Sequence, residues 1–258
     1  MYILGRRAES LQKTADAAVN GKIVPIVADV SSQESLASAA AQVRSREGLV
    51  DILIANSGIL GPTLYGLFPV NEASLPSIGD VQKRLRDISM DDFTQTMHVN
   101  VTGAFYTVVA FLDLLDAANH QPPTSPPRPK SQAIIVTSIA GLSRVPSTGV
   151  AYSASKAAAT HMTKQLATSF APYKIRINAI APGYFLTEMT NDMPISHGIP
   201  NPRVVGSLAS KVCPLERSGT EEEIGALALY LASCAGAYVN GCVQVIDGGR
   251  VGAMPASY

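Results

Sequence analysis

Residues 133–156 read AIIVTSIAGLSRVPSTGVAYSASK. The run Ala133–Thr137 is apolar on both faces, the pattern of a parallel strand covered by helices on two sides rather than of a half-solvated one. Ser138 follows at its carboxyl end, Ala140-Gly141 turns the chain, and a helical pattern runs over Val150–Phe170. Tyr152 and Lys156 stand four apart at the start of that helix and therefore share a face. A strand, a turn and a helix that bring a hydroxyl, a phenol and an ammonium to one end form the unit from which an open α/β sheet is built.

The same alternation recurs on both sides. Further strands are expected at Tyr2–Leu4, Lys22–Val27, Val50–Ile54, Ile175–Ile180 and Val243–Ile246, and further helices near Glu9–Val19, Gln33–Arg46, Asp91–Ala118 and Glu221–Ala232. The acidic run Glu221–Glu223 after Thr220 suits the first turn of the last helix. The expected fold is a doubly wound parallel sheet in one domain over residues 1–258. Two stretches read as loop insertions, 61–88 and 119–132. The second includes Gln121–Lys130, with five prolines in ten residues and two P-x-x-P spacings, for which a stiff loop is preferred over a polyproline ligand.

Twenty Lys+Arg balance twenty Asp+Glu, and 47% of the 258 residues are hydrophobic, which excludes a basic nucleic-acid binder and a disordered tail. Only 16% are charged, against about 25% in an average soluble chain, so part of the surface is expected to be covered by other subunits. The three cysteines suit a reducing compartment. The start lacks the apolar stretch of a secretory signal, and the longest apolar window, Ala226–Val239, falls short of the ~20 residues of a span. A cytoplasmic protein that touches neither membrane nor nucleic acid is expected. His98, His120, His161 and His197 show no metal-ligand spacing, and no metal site is expected.

Three strand ends and a helix converge on chemistry. Asn56-Ser57-Gly58 follows one strand, Ser138 another, and Pro182-Gly183 with Thr187 a third, while Tyr152 and Lys156 come from the helix. A cation near Tyr152 favours its phenolate and is expected to lower its pKa from about 10. Asn100 interrupts the apolar stripe Phe93, Met97, Ala104, Val108, Phe111 and Leu115; a buried amide there is either a structural plug or part of a proton path.

With these residues the chain resembles the short-chain dehydrogenases/reductases from Tyr2 to about Gly249: Asn56-Ser57-Gly58, Asn100, Ser138, Tyr152-Ser-Ala-Ser-Lys156, Pro182-Gly183 and Asp247-Gly248-Gly249. The resemblance implies that Tyr152 is the catalytic acid/base and that Lys156 binds the nicotinamide ribose. It also implies that Ser138 hydrogen-bonds the substrate carbonyl and that Asn100 holds a water linking Lys156 to solvent. Asn56, Gly58, Pro182, Gly183 and Thr187 would contact the cofactor, and Asp29-Val30 the adenine. Tyr184 and Phe185, with Leu186 and Met189, suit either a bulky apolar substrate or ordinary packing. A homodimer or homotetramer is implied as well.

The turn Gly5-Arg6-Arg7 ends the first strand, where an acidic residue would bind the ribose of NAD and an arginine accepts the 2′-phosphate of NADP. NADP(H) is therefore expected over NAD(H). One part of the pattern is absent from this sequence. Neither G-x-G-x-x-G nor T-G-x-x-x-G-x-G occurs, so the first, central strand, its glycine-rich pyrophosphate loop and the first helix, roughly 30 residues, are not found. The expected function is an NADP(H)-dependent oxidoreductase that interconverts a ketone or aldehyde and an alcohol, read from a chain incomplete at its N-terminus. The alternative is a truncated, cofactor-deficient homologue that acts as an interaction or oligomerisation protein.

Overall fold

The computed structural model describes residues 1–68, 75–122, 124–125, 128–146, 148–191, 193 and 198–257. Residues 69–74 of the first expected insertion, Pro123, Pro126 and Pro127 of the proline-rich stretch, and His197 lie outside them.

Six strands, β1 (Tyr2–Gly5), β2 (Val24–Val27), β3 (Ile52–Ala55), β4 (Gln132–Val136), β5 (Arg176–Pro182) and β6 (Val243–Ile246), alternate with eight helices among the described residues. The helices are α1 (Ala8–Asp16), α2 (Gln33–Glu47), α3 (Ile78–Arg86), α4 (Met90–Met97), α5 (Ala104–Ala110), α6 (Leu112–Asn119), α7 (Val150–Phe170) and α8 (Glu221–Ala232). Every strand pairing is parallel. β4 is central in its sheet: Ala133, Ile134 and Ile135 are fully enclosed, which explains a run with no polar face.

The helix ends follow local chemistry. Ser32 caps α2 by accepting from Ser35 N, and Gly48, at φ +74°, closes it in the left-handed conformation that glycine adopts without penalty. Thr220 and Glu223 bond reciprocally as a capping box at the start of α8. The expected single helix over Asp91–Ala118 is instead broken. α4 passes into a π-helical turn, His98–Gly103, then α5, and the backbone leaves helical geometry at Phe111 (φ −110°, ψ 6°), bending α6 by 45°. The apolar stripe continues through both irregularities, so periodicity alone does not reveal them. Among the described residues no single helix is long and apolar enough to cross a membrane.

The strands form two sheets, β1-β2 and β3-β4-β5-β6, with no ladder between β1 and β3. One face is continuous across the division: Tyr2 and Leu4 pack with Val50 and Leu53 against Ala39, Ala40 and Val43 of α2 and Phe111 and Leu114. The other face is not. Register pairs Ile54 with Ile134, which α8 covers through Leu231, yet Ile52 and Ile54 remain 38% and 48% exposed.

Candidate active site

The carboxyl ends of β3, β4 and β5 and the first turns of α7 meet at one place. Ser138 leaves β4 in an extended conformation, and its Oγ accepts from Ala140 N at 3.1 Å, which fixes the turn. α7 begins at Gly149, whose φ of +96° no branched residue holds without strain; a Cβ there would lie 2.0 Å from the Pro62 carbonyl oxygen. This close approach locks the segment after β3 against the helix that carries Tyr152.

Lys156 is 4% exposed, and its Nζ donates to the carbonyl of Val136 at 2.9 Å. It lies over the Tyr152 ring, 5.8 Å from the centroid, a cation–π arrangement. Burial pulls its ammonium down to about 8. Burial also holds the Tyr152 phenol above its ordinary value, with the Ser138 hydroxyl pulling the other way. The lowering expected from Lys156 is not what the site displays: burial is the larger influence on the Tyr152 phenol, and the ammonium lies over the ring. Ser138 and Tyr152 nonetheless present two hydroxyl donors side by side, the arrangement that meets negative charge on a single oxygen.

Asn100 sits in the π-helical turn, 2% exposed, with every polar atom engaged. Its Oδ1 accepts from Ile59 N at 2.8 Å, and Nδ2 donates to Ile59 O at 2.9 Å and to Ser155 Oγ at 3.0 Å. Ser155 Oγ in turn donates to the Tyr152 carbonyl at 2.7 Å. Through these bonds the Asn100 side chain latches the segment after β3 to α7. Gly58 is part of the latch, because a Cβ would stand 3.1 Å from Asn100 Oδ1 and 3.5 Å from Lys156 Nζ. Ser155, the Ile59 backbone and Tyr65, described below, are the members that sequence reasoning missed. Ser155 was recoverable, since it lies within the Tyr152–Lys156 stretch; the other two carry no local signal.

The remaining candidates divide. Gly183 lies against Asp247, 2.6 Å from where its Cβ would be, so the end of β5 is pinned to the Asp247-Gly248-Gly249 turn. Asn56 is exposed at the exit of β3, and Pro182 closes β5. Thr187 is exposed and shares its hydroxyl with Thr190 at 3.1 Å. Asp29 is held below the usual carboxylate range, first by the Ser31 side chain and backbone, with Arg6 adding a smaller effect, and Val30 packs on Gly103 of the π-helical turn. Arg7, expected to meet a phosphate, instead pairs with Glu188 at 2.8 Å on the surface. Tyr184 and Phe185, the expected substrate contacts, serve local packing: Tyr184 is buried with Leu208 and Cys213, and Phe185 covers Gly219. Among the described residues no three of His, Cys, Asp and Glu cluster as metal ligands would.

A family model described as enoyl-(acyl carrier protein) reductase matches residues 1–250. PhomF of Diaporthe leptostromiformis, named a short-chain dehydrogenase/reductase, is 42% identical over 259 residues, covering 100% of this chain and 85% of PhomF. The chain belongs to the short-chain dehydrogenase/reductase family. Within that family of oxidoreductases, SAT3 of Stachybotrys chartarum is 40% identical across 100% of this chain and 96% of its own length. The solved RhlG/NADP active-site complex of Pseudomonas aeruginosa superposes with a TM-score of 0.76 at 29% identity, over 97% of this chain and 86% of that one. This short-chain dehydrogenase/reductase thus shares both sequence and fold with the family along nearly its whole length.

Proposed function

We propose that the chain carries the catalytic machinery of an NADP(H)-dependent oxidoreductase that interconverts a ketone or aldehyde and the corresponding alcohol. The observation that carries this reading is the grouping of half-buried Ser138 and Tyr152 with buried Lys156 at the β4 end. Lys156 supports a nucleotide there, because among the described residues only one of its three N–H donors has a partner and the neighbouring Gly58 leaves space that a side chain would fill. Bound nicotinamide would supply or accept the hydride. Tyr152 would give or take the proton at the substrate oxygen, with Ser138 holding that oxygen in place. Arg6, beside Asp29 at the end of β1, supports NADP over NAD, whereas Arg7 is engaged by Glu188. Three unpaired cysteines support a cytoplasmic setting. Exposed Met90, Phe93 and Val109 on α4 and α5 support a homodimer or homotetramer.

The divided sheet favours a second reading of this particular chain. No glycine-rich turn is present to cradle a pyrophosphate, and Ile52 and Ile54 lack the cover that Ile134 receives, so a strand and helix between β1 and β3 would complete both the sheet and the cofactor site. Without them the chain would serve as a cofactor-deficient interaction or oligomerisation partner. Fluorescence titration with NADPH separates the two. Tight binding by the 258 residues alone would remove the second reading; binding only by a chain extended upstream would locate the missing unit; and binding by neither would defeat the oxidoreductase.

A further inference from the structure

The segment after β3 runs past the catalytic group in a fixed course. Ile59 is tied to Asn100, Gly61 lies so close to Thr96 that a Cβ would stand 2.0 Å from its Oγ1, and Pro62 meets Gly149 at the head of α7. Leu64 and Leu67 are buried on either side of the next turn, which Leu67 N closes onto Leu64 O at 3.1 Å. Tyr65 lies between them in the chain and is itself half-buried. Its hydroxyl is fully enclosed and has no hydrogen-bond partner among the described residues. A buried, unpartnered phenol is costly, and such groups persist where a ligand completes them.

The segment that carries Tyr65 is pinned to the head of α7, where Pro62 meets Gly149, three residues before Tyr152. Burial, and then the charge of the neighbouring Tyr152, raises the Tyr65 hydroxyl above its ordinary value. Ser138 and Tyr152 already supply the donors for the reacting oxygen, so a third donor has no use on a substrate with one oxygen. We propose that Tyr65 is a substrate-positioning residue whose hydroxyl donates to a second oxygen of the substrate, selecting carbonyl compounds that bear another acceptor close to the reacting carbonyl. This rests on the carbonyl-reductase reading of the Tyr152 site.

The test uses the full chain labelled with ¹³C at the ζ carbon of tyrosine, with the Tyr65 and Tyr152 resonances assigned from Tyr65→Phe and Tyr152→Phe. The probes are benzil, which has two adjacent carbonyls, and deoxybenzoin, which has one on the same skeleton. Both are expected to shift the Tyr152 resonance, and only benzil the Tyr65 resonance. Tyr65→Phe should weaken benzil about three- to tenfold, the worth of one neutral hydrogen bond, and leave deoxybenzoin within about twofold. A Tyr152 response without a Tyr65 response to benzil, or equal benzil affinity in Tyr65→Phe, overturns the role of Tyr65 alone. No Tyr152 response to either probe overturns the reading of the site and the role of Tyr65 with it.

Discussion

Lys156 is drawn toward its neutral form by the same burial that brings its Nζ to the Val136 carbonyl, and this gives it a signature separable from catalysis. Its pKa is about 8 in the folded chain against 10.5 when unfolded, so between those values the unfolded chain holds a proton that the folded chain has released. Stability therefore rises as the pH climbs from 8 toward 10.5. Tyr65 and Tyr152, whose folded values are raised, act in the opposite sense only above about 10. Urea unfolding at about pH 7.5 and about pH 9.5 should show a positive slope that Lys156→Met abolishes. Tyr152→Phe is expected to lower turnover at saturating ketone by about a hundredfold or more while leaving the NADPH dissociation constant within about threefold, because the ring stays and only the proton donor is lost. The grouping of Ser138, Tyr152 and Lys156 was legible in the sequence because they sit in one contiguous stretch, where strand and helix periodicity settle which end they share. Tyr65 was not, because its place beside the site comes from the contact of Pro62 with Gly149, made across more than eighty intervening residues.

Among the elements, α7 and α8 make a useful contrast. Gly149→Ala forces a Cβ against Pro62 at a left-handed backbone position and should cost about 2 kcal/mol or more while also depressing activity, since the segment it displaces is the one Asn100 latches to the site. Thr220→Ala removes the cap of α8 for about 1 kcal/mol and should leave activity per folded molecule unchanged. Paired thermal melts and rate measurements distinguish the two. Glu223, held at about 2 first by the Arg217 side chain and then by the Thr220 backbone, adds a pH dependence to α8: its contribution is present above about 4.5 and is lost as the pH falls toward 2. Most strands and helices followed from hydrophobic period and capping residues. The long helix over Asp91–Ala118 did not, because a π-turn and a kink at a buried Phe111 preserve the spacing of apolar residues while changing the path of the chain.

At the scale of the whole molecule, the two sheets are joined through side chains rather than through a backbone ladder. Tyr2 and Leu4 reach the main body by way of α2 and the residues around Phe111, whereas β4 lies between two paired neighbours. Hydrogen exchange should therefore release the amides of β1 and β2 at least about tenfold faster than those of β4 and β5. The exposure of Ile52 and Ile54 was not legible in the sequence, because two isoleucines in a strand read as core whatever lies above them. Their position has a practical meaning. β1 and β3 each keep one edge outside any ladder, and beside the edge of β3 lies an uncovered apolar surface, so the chain carries a template for adhesion between molecules and its solubility is limited by concentration. Ile54→Lys, by placing a charge on that surface, should raise the concentration at which light scattering begins.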